Sequence, residues 1–207
     1  MRWQGALGMK RADGGTWRAW CCAGMAIALL VGAPPGRAQQ SVGRFDEAHT
    51  RFGVELLTRW GQRVKGDFPR YDGKIVALDD TRRQVRVRLL ASAVRIGDSE
   101  RYTQMARGDS FFDAVHFPYV EFLSDPIDIR LVETGGPLRG RLTIRDVTRI
   151  ETFHLLPATC SRPARDCDVV AHGQVDRYAY GLDAWRLALD KDVRFTMRVR
   201  LAPDEQP

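Results

Sequence analysis

The chain has 207 residues and a formal net charge of +6, with 32 basic against 26 acidic residues. Five of the basic residues and one acidic residue lie in the first 38 positions, so the rest of the chain carries only +2. A nearly neutral domain lacks the basic surplus that is typical of nucleic-acid-binding proteins, so we expect no nucleic-acid partner. The remaining length fits one domain that buries a sizeable core.

Residues 1–38 have the three parts of a secretory signal peptide. Residues 1–18 are polar and basic, residues 19–33 are apolar, and Gly36 and Ala38 offer small side chains at a cleavage site. A membrane anchor is the alternative, but an apolar run of about 15 residues is shorter than the roughly 20 that a spanning helix needs. We therefore predict a signal peptide at 1–38, a mature domain at 39–207 and a periplasmic location.

Alternation with a period of two dominates the mature chain and predicts β-strands. In residues 84–89, for example, Val85, Val87 and Leu89 alternate with Arg86 and Arg88. The strands predicted in this way are residues 50–58, 63–68, 74–78, 84–89, 120–124, 127–133, 138–144, 148–155, 167–175 and 194–201. Turn-forming residues separate several of them, at 71–73, 78–80, 125–126 and 134–137. Eight or more strands with short turns predict an all-β antiparallel sandwich or barrel.

One segment between the strands has helical character. Residues 98–106 place Asp98 and Ser99 ahead of helix formers, which is the pattern of a helix start. The aromatic-rich residues 111–118 follow, so we expect a helix and a loop to cover one end of the sheet. Residues 178–189 form either a second short helix or a loop, because Gly181 interrupts their helical pattern.

The mature chain contains two cysteines, Cys160 and Cys167. Export permits a disulfide between them, and the chain-entropy estimate for closing so small a loop is about 2.5 kcal/mol. A metal or redox pair is the alternative, but no histidine stands at ligand spacing and the pair is not C-x-x-C. We predict a structural disulfide at the tip of a hairpin.

Motifs for catalysis or cofactor binding are missing from the sequence. It has no phosphate-cradling glycine loop, nucleophile elbow or zinc pattern, and its four histidines are scattered. We predict no catalytic residues, no metal and no cofactor. All nine phenylalanines lie in the mature region, five of them on predicted strands. They form either a packed core or the wall of a pocket for an apolar ligand, and composition does not distinguish the two.

Four blocks of sequence, in order, match the motifs of one known family. DEAHTRFGV at 46–54 is similar to D-x-A-H-S/T-x-x-G-F, and VKGDF at 64–68 resembles V-x-G-x-F. FFDAVHFPYVEFLS at 111–124 resembles the distinctive F-F-D-A-x-x-F-P-x-x-x-F-x-S. GRLTIRDVTR at 140–149 is similar to G-x-L-T-I-x-G-V-T-x, with Asp146 where the family has a glycine. Together these blocks resemble the YceI-like family of exported, lipocalin-like barrels that bind polyisoprenoid chains.

The resemblance implies an extended antiparallel lipocalin-like barrel of about eight strands, with one or two short helices covering an end, around a long apolar tunnel. It implies an isoprenoid-type ligand, such as a quinone precursor or a prenyl phosphate, that is held for storage or transport rather than converted by an enzyme. A homodimer and transient contact with a membrane are further expectations. The residues expected to contact the ligand are Phe52, Val54, Phe68, Phe112, Phe122, Phe153, Phe195 and Met197.

Three arginines, Arg51, Arg95 and Arg141, are candidates for meeting a polar head group, and an exposed position on the outer face is the alternative for each. Two other functions stay open: a barrel enzyme acting on a small apolar substrate, and a structural or interaction domain with a filled core. Converging titratable side chains inside the barrel would favour the enzyme. A long apolar cavity would favour lipid binding.

Overall fold

Twelve β-strands and two short α-helices make up the computed structural model, which describes residues 41–203. The strands are β1 (Ser41–Arg44), β2 (Arg51–Thr58), β3 (Arg63–Asp67), β4 (Tyr71–Ala77), β5 (Arg82–Leu90), β6 (Arg95–Ile96), β7 (Tyr119–Ser124), β8 (Ile127–Asp128), β9 (Gly136–Ile144), β10 (Val147–Leu155), β11 (Val169–Asp176) and β12 (Leu189–Val199). The helices are α1 (Glu100–Arg107) and α2 (Leu131–Thr134), and 3₁₀ turns lie at Ala91–Ala93 and Arg177–Tyr180. The predicted signal peptide at 1–38 lies outside the described residues.

All pairings between strands are antiparallel, and the sheet has the order β1-β4-β5-β7-β9-β10-β11-β12-β2-β3-β6, with β8 beside β5. β3 pairs with β2, β4 pairs with β5, and only residues 68–70 separate β3 from β4. Hydrogen bonds from Phe68 N to Phe52 O and from Leu90 N to Arg70 O, each 2.9 Å, carry both ladders into this bend. Residues 63–77 therefore act as one bent strand. Together with β5, β7, β9, β10, β11, β12 and β2, this strand closes an eight-stranded barrel. The predicted fold class is confirmed.

Side-chain direction follows the alternation of the sequence. In β9, Leu138 and Leu142 are buried inside the barrel, whereas Arg139 and Arg141 are exposed on its outer face. Burying one such aliphatic side chain contributes roughly 1.5–3 kcal/mol, so each inward strand face stabilises the closed sheet. The core is thus the barrel interior, and charged side chains occupy its outside.

Two local predictions are wrong. Residues 127–133 do not form one strand: the Asp128 carboxylate accepts a 2.8 Å hydrogen bond from the backbone N of Arg130, which turns the chain out of β8 and into α2. Residues 71–73 are not a turn but the start of β4. Gly73 lies there because the ring of Phe45 occupies its side-chain position, with a carbon only 2.1 Å from where a Cβ would be.

The predicted helix at 98–106 is confirmed as α1, which starts two residues later. Its N-cap is Ser99, whose hydroxyl accepts a 3.3 Å hydrogen bond from Tyr102 N. The Thr103 hydroxyl accepts from Ile96 N at 2.9 Å, so α1 is fixed to β6 at one end of the barrel. Within residues 41–203, no helix is both long and apolar enough to cross a membrane.

The remaining connections resolve two sequence-based alternatives and show how the β9–β10 turn is made. Of residues 178–189, the first three end a 3₁₀ turn, residues 181–188 form a loop with Gly181 at φ +70°, and Leu189 begins β12. The predicted disulfide is confirmed: Cys160 and Cys167 are bonded in the β10–β11 connection, with their Cα atoms 6.1 Å apart. The β9–β10 turn forms without glycine, because Arg145 rather than Asp146 takes the positive φ, at +57°.

Candidate functional site

The barrel interior is hollow at both ends. The larger chamber has a volume of about 370 Å³ and lies at the end covered by α1. The smaller chamber has a volume of about 230 Å³. On β11, Val175 lines the larger chamber and Val169 lines the smaller one. On β12, Val193 lines the larger chamber and Val199 lines the smaller one. The two chambers therefore lie at opposite ends of the same strands.

A layer of phenyl rings, which we call the waist, separates the two chambers. The ring of Phe153 lies 5.0 Å from that of Phe122 and 6.2 Å from that of Phe195, both edge to face. Phe52 and Phe68 complete the layer, and the space left among these rings is about 20 Å³. That is about the room of one water molecule, so the waist is packed. The single long tunnel that the resemblance implies is instead divided in this structure.

Two glycines make room for the waist. Gly173 on β11 pairs with Phe195 on β12, and it follows His172, which pairs with His154 on β10. A Cβ on Gly173 would lie 2.1 Å from the Phe153 ring, and a Cβ on Gly140 would lie 2.7 Å from the Phe122 ring. Both distances are far below van der Waals contact, so each ring lies directly over a glycine. The waist depends on these glycines as much as on the rings.

All eight residues predicted to contact a ligand face the interior, but they do not form one continuous lining. Val54 and Phe112 line the larger chamber. The other six line the waist: Phe52, Phe68, Phe122, Phe153, Phe195 and Met197. Of these, Phe195 also borders the larger chamber, and Phe122 and Met197 border the smaller one. Contact of these side chains with a ligand stays a prediction.

Sequence reasoning missed the mouth of the larger chamber. Trp60 and Trp185 lie there on loops, and Tyr102 lies there on α1. It also missed Phe45 and Leu155, which line the smaller chamber. The alternation in β10 could have found Leu155, since it points to the same side as Phe153. No comparable signal identifies side chains on loops.

The three arginines proposed to meet a head group line neither chamber. The Arg51 guanidinium donates to the backbone oxygens of Glu47, Ala48 and Thr50. Arg95 forms an exposed ion pair with Asp67 at 2.6 Å, and Arg141 is exposed on the outer face. For all three arginines, the alternative of an exposed position on the outer face is therefore correct.

A different arginine, Arg177, lies in the wall of the larger chamber and is almost completely buried. Its guanidinium donates to the backbone oxygens of Asp190 at 2.9 Å, Ala184 at 2.8 Å and Leu189 at 3.3 Å, and also to that of Leu182. Burial lowers the pKa of Arg177 from its ordinary value. Because these four carbonyl groups all belong to residues 182–190, Arg177 fixes the loop and the start of β12 beside the chamber.

The titratable groups of the interior are few. Tyr180 is buried, and its hydroxyl donates a 2.8 Å hydrogen bond to Glu151, but neither residue lines a chamber. Burial is the main cause that raises the pKa of Tyr180. Arg101 and Arg177 are the charged side chains of the larger chamber's lining within the described part of the chain. Residues 41–203 contain no group of His, Cys, Asp or Glu side chains that could hold a metal ion.

Comparisons with known proteins bear on both fold and family. BcnA from Burkholderia cenocepacia superposes with a TM-score of 0.61 at 16% identity, over 75% of this chain and 98% of BcnA. A polyisoprenoid binding domain from Saccharophagus degradans gives 0.59 at 11% identity, over 79% of this chain and all of that one. The YceI protein of Campylobacter jejuni gives 0.51 at 17%, over 69% and 87%. At these identities the likeness shows a shared fold.

Sequence comparison gives the more specific result. A search of curated protein sequences finds no significant match. The family model of the YceI-like domain, however, matches residues 44–201, which is most of the chain and nearly all of the barrel. The protein therefore belongs to the YceI-like domain family.

Proposed function

We propose that this protein is a periplasmic lipid-binding protein that holds an isoprenoid-type chain in its larger chamber. The observation that carries the proposal is the chamber itself: about 370 Å³, lined mainly by apolar side chains and open at a mouth. This volume lies in the range of roughly 300–1,000 Å³ that is usual for small-molecule sites. The Saccharophagus degradans relative is described as a polyisoprenoid binding domain, which supports the same ligand class.

Affinity would come from removing the chain from water. Each buried methylene contributes about 0.8 kcal/mol, so a five-carbon isoprene unit contributes on the order of 3–4 kcal/mol before the cost of ordering the ligand. Arg101 and the buried Arg177 flank the chamber and supply positive charge for a phosphate or quinone-type head. We expect the chain in the chamber and its head near the mouth.

Binding for storage or transport is favoured over catalysis by the chemistry of the lining. An enzyme needs groups that exchange protons or attack a substrate, converging on one point. The described lining of the larger chamber has no carboxylate, histidine or cysteine side chain. The two open chambers also argue against a structural domain with a filled core. The disulfide is consistent with a site of action in the oxidising periplasm.

The test is binding of farnesol or geranylgeraniol to the mature protein, followed by the fluorescence of Trp60 and Trp185 at the mouth. Val54→Phe adds volume inside the larger chamber, and its matched control Val199→Phe adds the same volume to the smaller one. We expect Val54→Phe to weaken binding about tenfold or more and Val199→Phe to change it less than twofold. Absence of binding, together with recovery of no lipid from protein purified without detergent, would refute the proposal.

A further inference from the structure

The mouth of the larger chamber exposes an unusual number of large apolar side chains. Trp60 is 74% exposed, Tyr102 53%, Trp185 51% and Leu187 92%. Three of them line the mouth, and Leu187 stands two residues beyond Trp185 in the same loop. Clusters of this kind are rare on surfaces that face only water, because the exposure of apolar side chains to water is unfavourable.

These side chains stand on segments that are tied to one another. The backbone N of Arg59, at the tip of the β2–β3 hairpin, donates to Ala188 O at 2.9 Å, and its guanidinium donates to Arg186 O at 3.4 Å. The hairpin tip that carries Trp60 and the loop that carries Trp185 and Leu187 are therefore held together as one surface. α1 presents Tyr102 to the same mouth.

The loop holds Trp185 in an uncommon conformation. Its φ is +61°, in the left-handed region that a bulky residue rarely adopts. Ala188 N and Leu189 N both donate to Trp185 O, at 2.9 and 2.8 Å, and fix this turn. Strain of this kind persists where the surroundings enforce it, and it is common at functional surfaces. Here it keeps the Trp185 ring at the rim instead of inside the core.

The arginines at the mouth differ in their partners. Arg59 and Arg101 are exposed and form no ion pair within the described residues, whereas Arg186 pairs with Asp183 at 2.9 Å. The acid of β2, Glu55, is already shared by Arg63 at 3.3 Å and Arg194 at 3.9 Å. Two guanidinium groups that form no ion pair with the described residues thus lie beside the aromatic rings. This combination suits a bilayer surface with anionic head groups, where Trp and Tyr lie at the interface and Arg meets phosphate.

We propose that the docking rim, defined as Arg59, Trp60, Arg101, Tyr102, Trp185 and Leu187, binds the surface of an anionic phospholipid bilayer. The larger chamber then opens directly into the membrane, and an apolar chain passes between them without crossing water. This role rests on the proposed lipid function. Docking itself is a separate property that can be measured without the ligand.

The experiment is sedimentation of the mature protein with vesicles of phosphatidylcholine alone or mixed with phosphatidylglycerol. We expect binding to the mixed vesicles that weakens with added salt. Leu187→Ser should lower the partition coefficient about fivefold or more, because it removes apolar area from the contact. Leu156→Ser is the matched control, since Leu156 is also exposed but follows β10 at the smaller-chamber end. It should change partitioning less than twofold.

The charge contribution is tested in the same way. Arg59→Gln combined with Arg101→Gln should lower binding to the mixed vesicles several-fold, and Arg141→Gln on the outer face should not. No binding to the mixed vesicles, or equal binding by the wild type and Leu187→Ser, would overturn the proposal. A concentration-dependent dimer that Leu187→Ser dissociates, without vesicle binding, would assign the rim to a second copy instead. If farnesol binds in solution and docking fails, the lipid function stands and only the docking is wrong.

Discussion

The two ends of the barrel share the same eight strands but are closed in different ways. At the larger chamber, α1 and two loops surround an open mouth with exposed aromatic rings. At the smaller chamber, the disulfide-bonded β10–β11 connection contributes Pro163 and Ala164, and α2 contributes Val132. The comparison teaches that strands set the diameter of the interior, whereas the connections decide which side chains surround each opening.

The waist is the element that both chambers share. It turns one interior into two, and it is built from residues that each contact the next strand, such as Phe153 over Gly173. A chain held in the larger chamber therefore ends against aromatic rings. The asymmetry of the two ends and the packing between them can each be tested separately.

The largest effect is expected from removing the guanidinium that fixes the wall of the larger chamber. Arg177→Met keeps an unbranched apolar side chain but leaves the carbonyl groups of Leu182, Ala184, Leu189 and Asp190 without their donor. Buried unsatisfied polar groups are costly, so we expect the free energy of unfolding to fall by about 3–4 kcal/mol. Urea unfolding followed by circular dichroism measures this.

The matched control is Arg139→Met, on the outer face of the barrel. Arg139 is exposed and makes only a 3.7 Å ion pair with Asp125, so its loss should cost less than about 1 kcal/mol. Equal effects of the two substitutions would show that the hydrogen bonds of Arg177 do not hold the chamber wall.

The next effect is expected at the waist. Gly173→Ala places a methyl group 2.1 Å from the Phe153 ring, so the ring must move and the packing between the chambers must loosen. Overpacking of this kind costs about 2–3 kcal/mol. Gly53→Ala is the control, because its Cβ would meet nothing nearer than 3.8 Å and its φ is not positive. It should be neutral or stabilising by up to about 1 kcal/mol in the same unfolding experiment.

The disulfide should affect the smaller-chamber end alone. Replacing Cys160 and Cys167 together by Ser removes the closed loop, and we expect a loss of about 2 kcal/mol. The wild type in a reducing agent should unfold at the same urea concentration as the double variant. Binding of farnesol should change less than twofold, because the bond lies away from the larger chamber. A parallel loss of binding would mean that the two ends are coupled through the waist.

The sequence predicts the parts of this molecule that depend on neighbours along the chain. Two-residue alternation finds the strands and the inward direction of Phe153 and Phe195, and the capping residue Ser99 marks the start of α1. What it does not predict depends on partners across the barrel. Gly73 is a turn signal in the sequence, yet it is a strand residue beneath Phe45.

The candidate site follows the same rule. That the phenylalanines point inward could be predicted, but whether their rings meet in the middle depends on which strands pair. Gly173 lies between Phe153 and Phe195 only because β11 lies between β10 and β12 in the sheet. Trp60 and Trp185 were missed because loops carry no periodic pattern, and the hydrogen bond from Arg59 to Ala188 that unites them is long-range.

The smallest effect is expected at the β4–β5 turn, which is followed in β5 by Arg83 in the lining of the smaller chamber. The Asp79 carboxylate accepts from the Arg82 guanidinium at 2.6 Å and from the backbone N of Arg82 and Thr81 at 2.7 and 3.0 Å. The Arg82 side chain is the main cause that holds the pKa of Asp79 below its ordinary value. A carboxylate with a lowered pKa in the folded state stabilises the fold at neutral pH.

This contribution is present above the ordinary aspartate pKa of about 3.9 and is lost as the pH falls below it. We therefore expect Asp79→Asn to be slightly less stable than the wild type at pH 7 and to lose less stability between pH 5 and strong acid. Urea midpoints measured across this range test the difference, with Asp80→Asn as the control because Asp80 makes none of these hydrogen bonds. Parallel pH profiles for wild type and Asp79→Asn would show that this turn does not contribute to acid sensitivity at the smaller-chamber end.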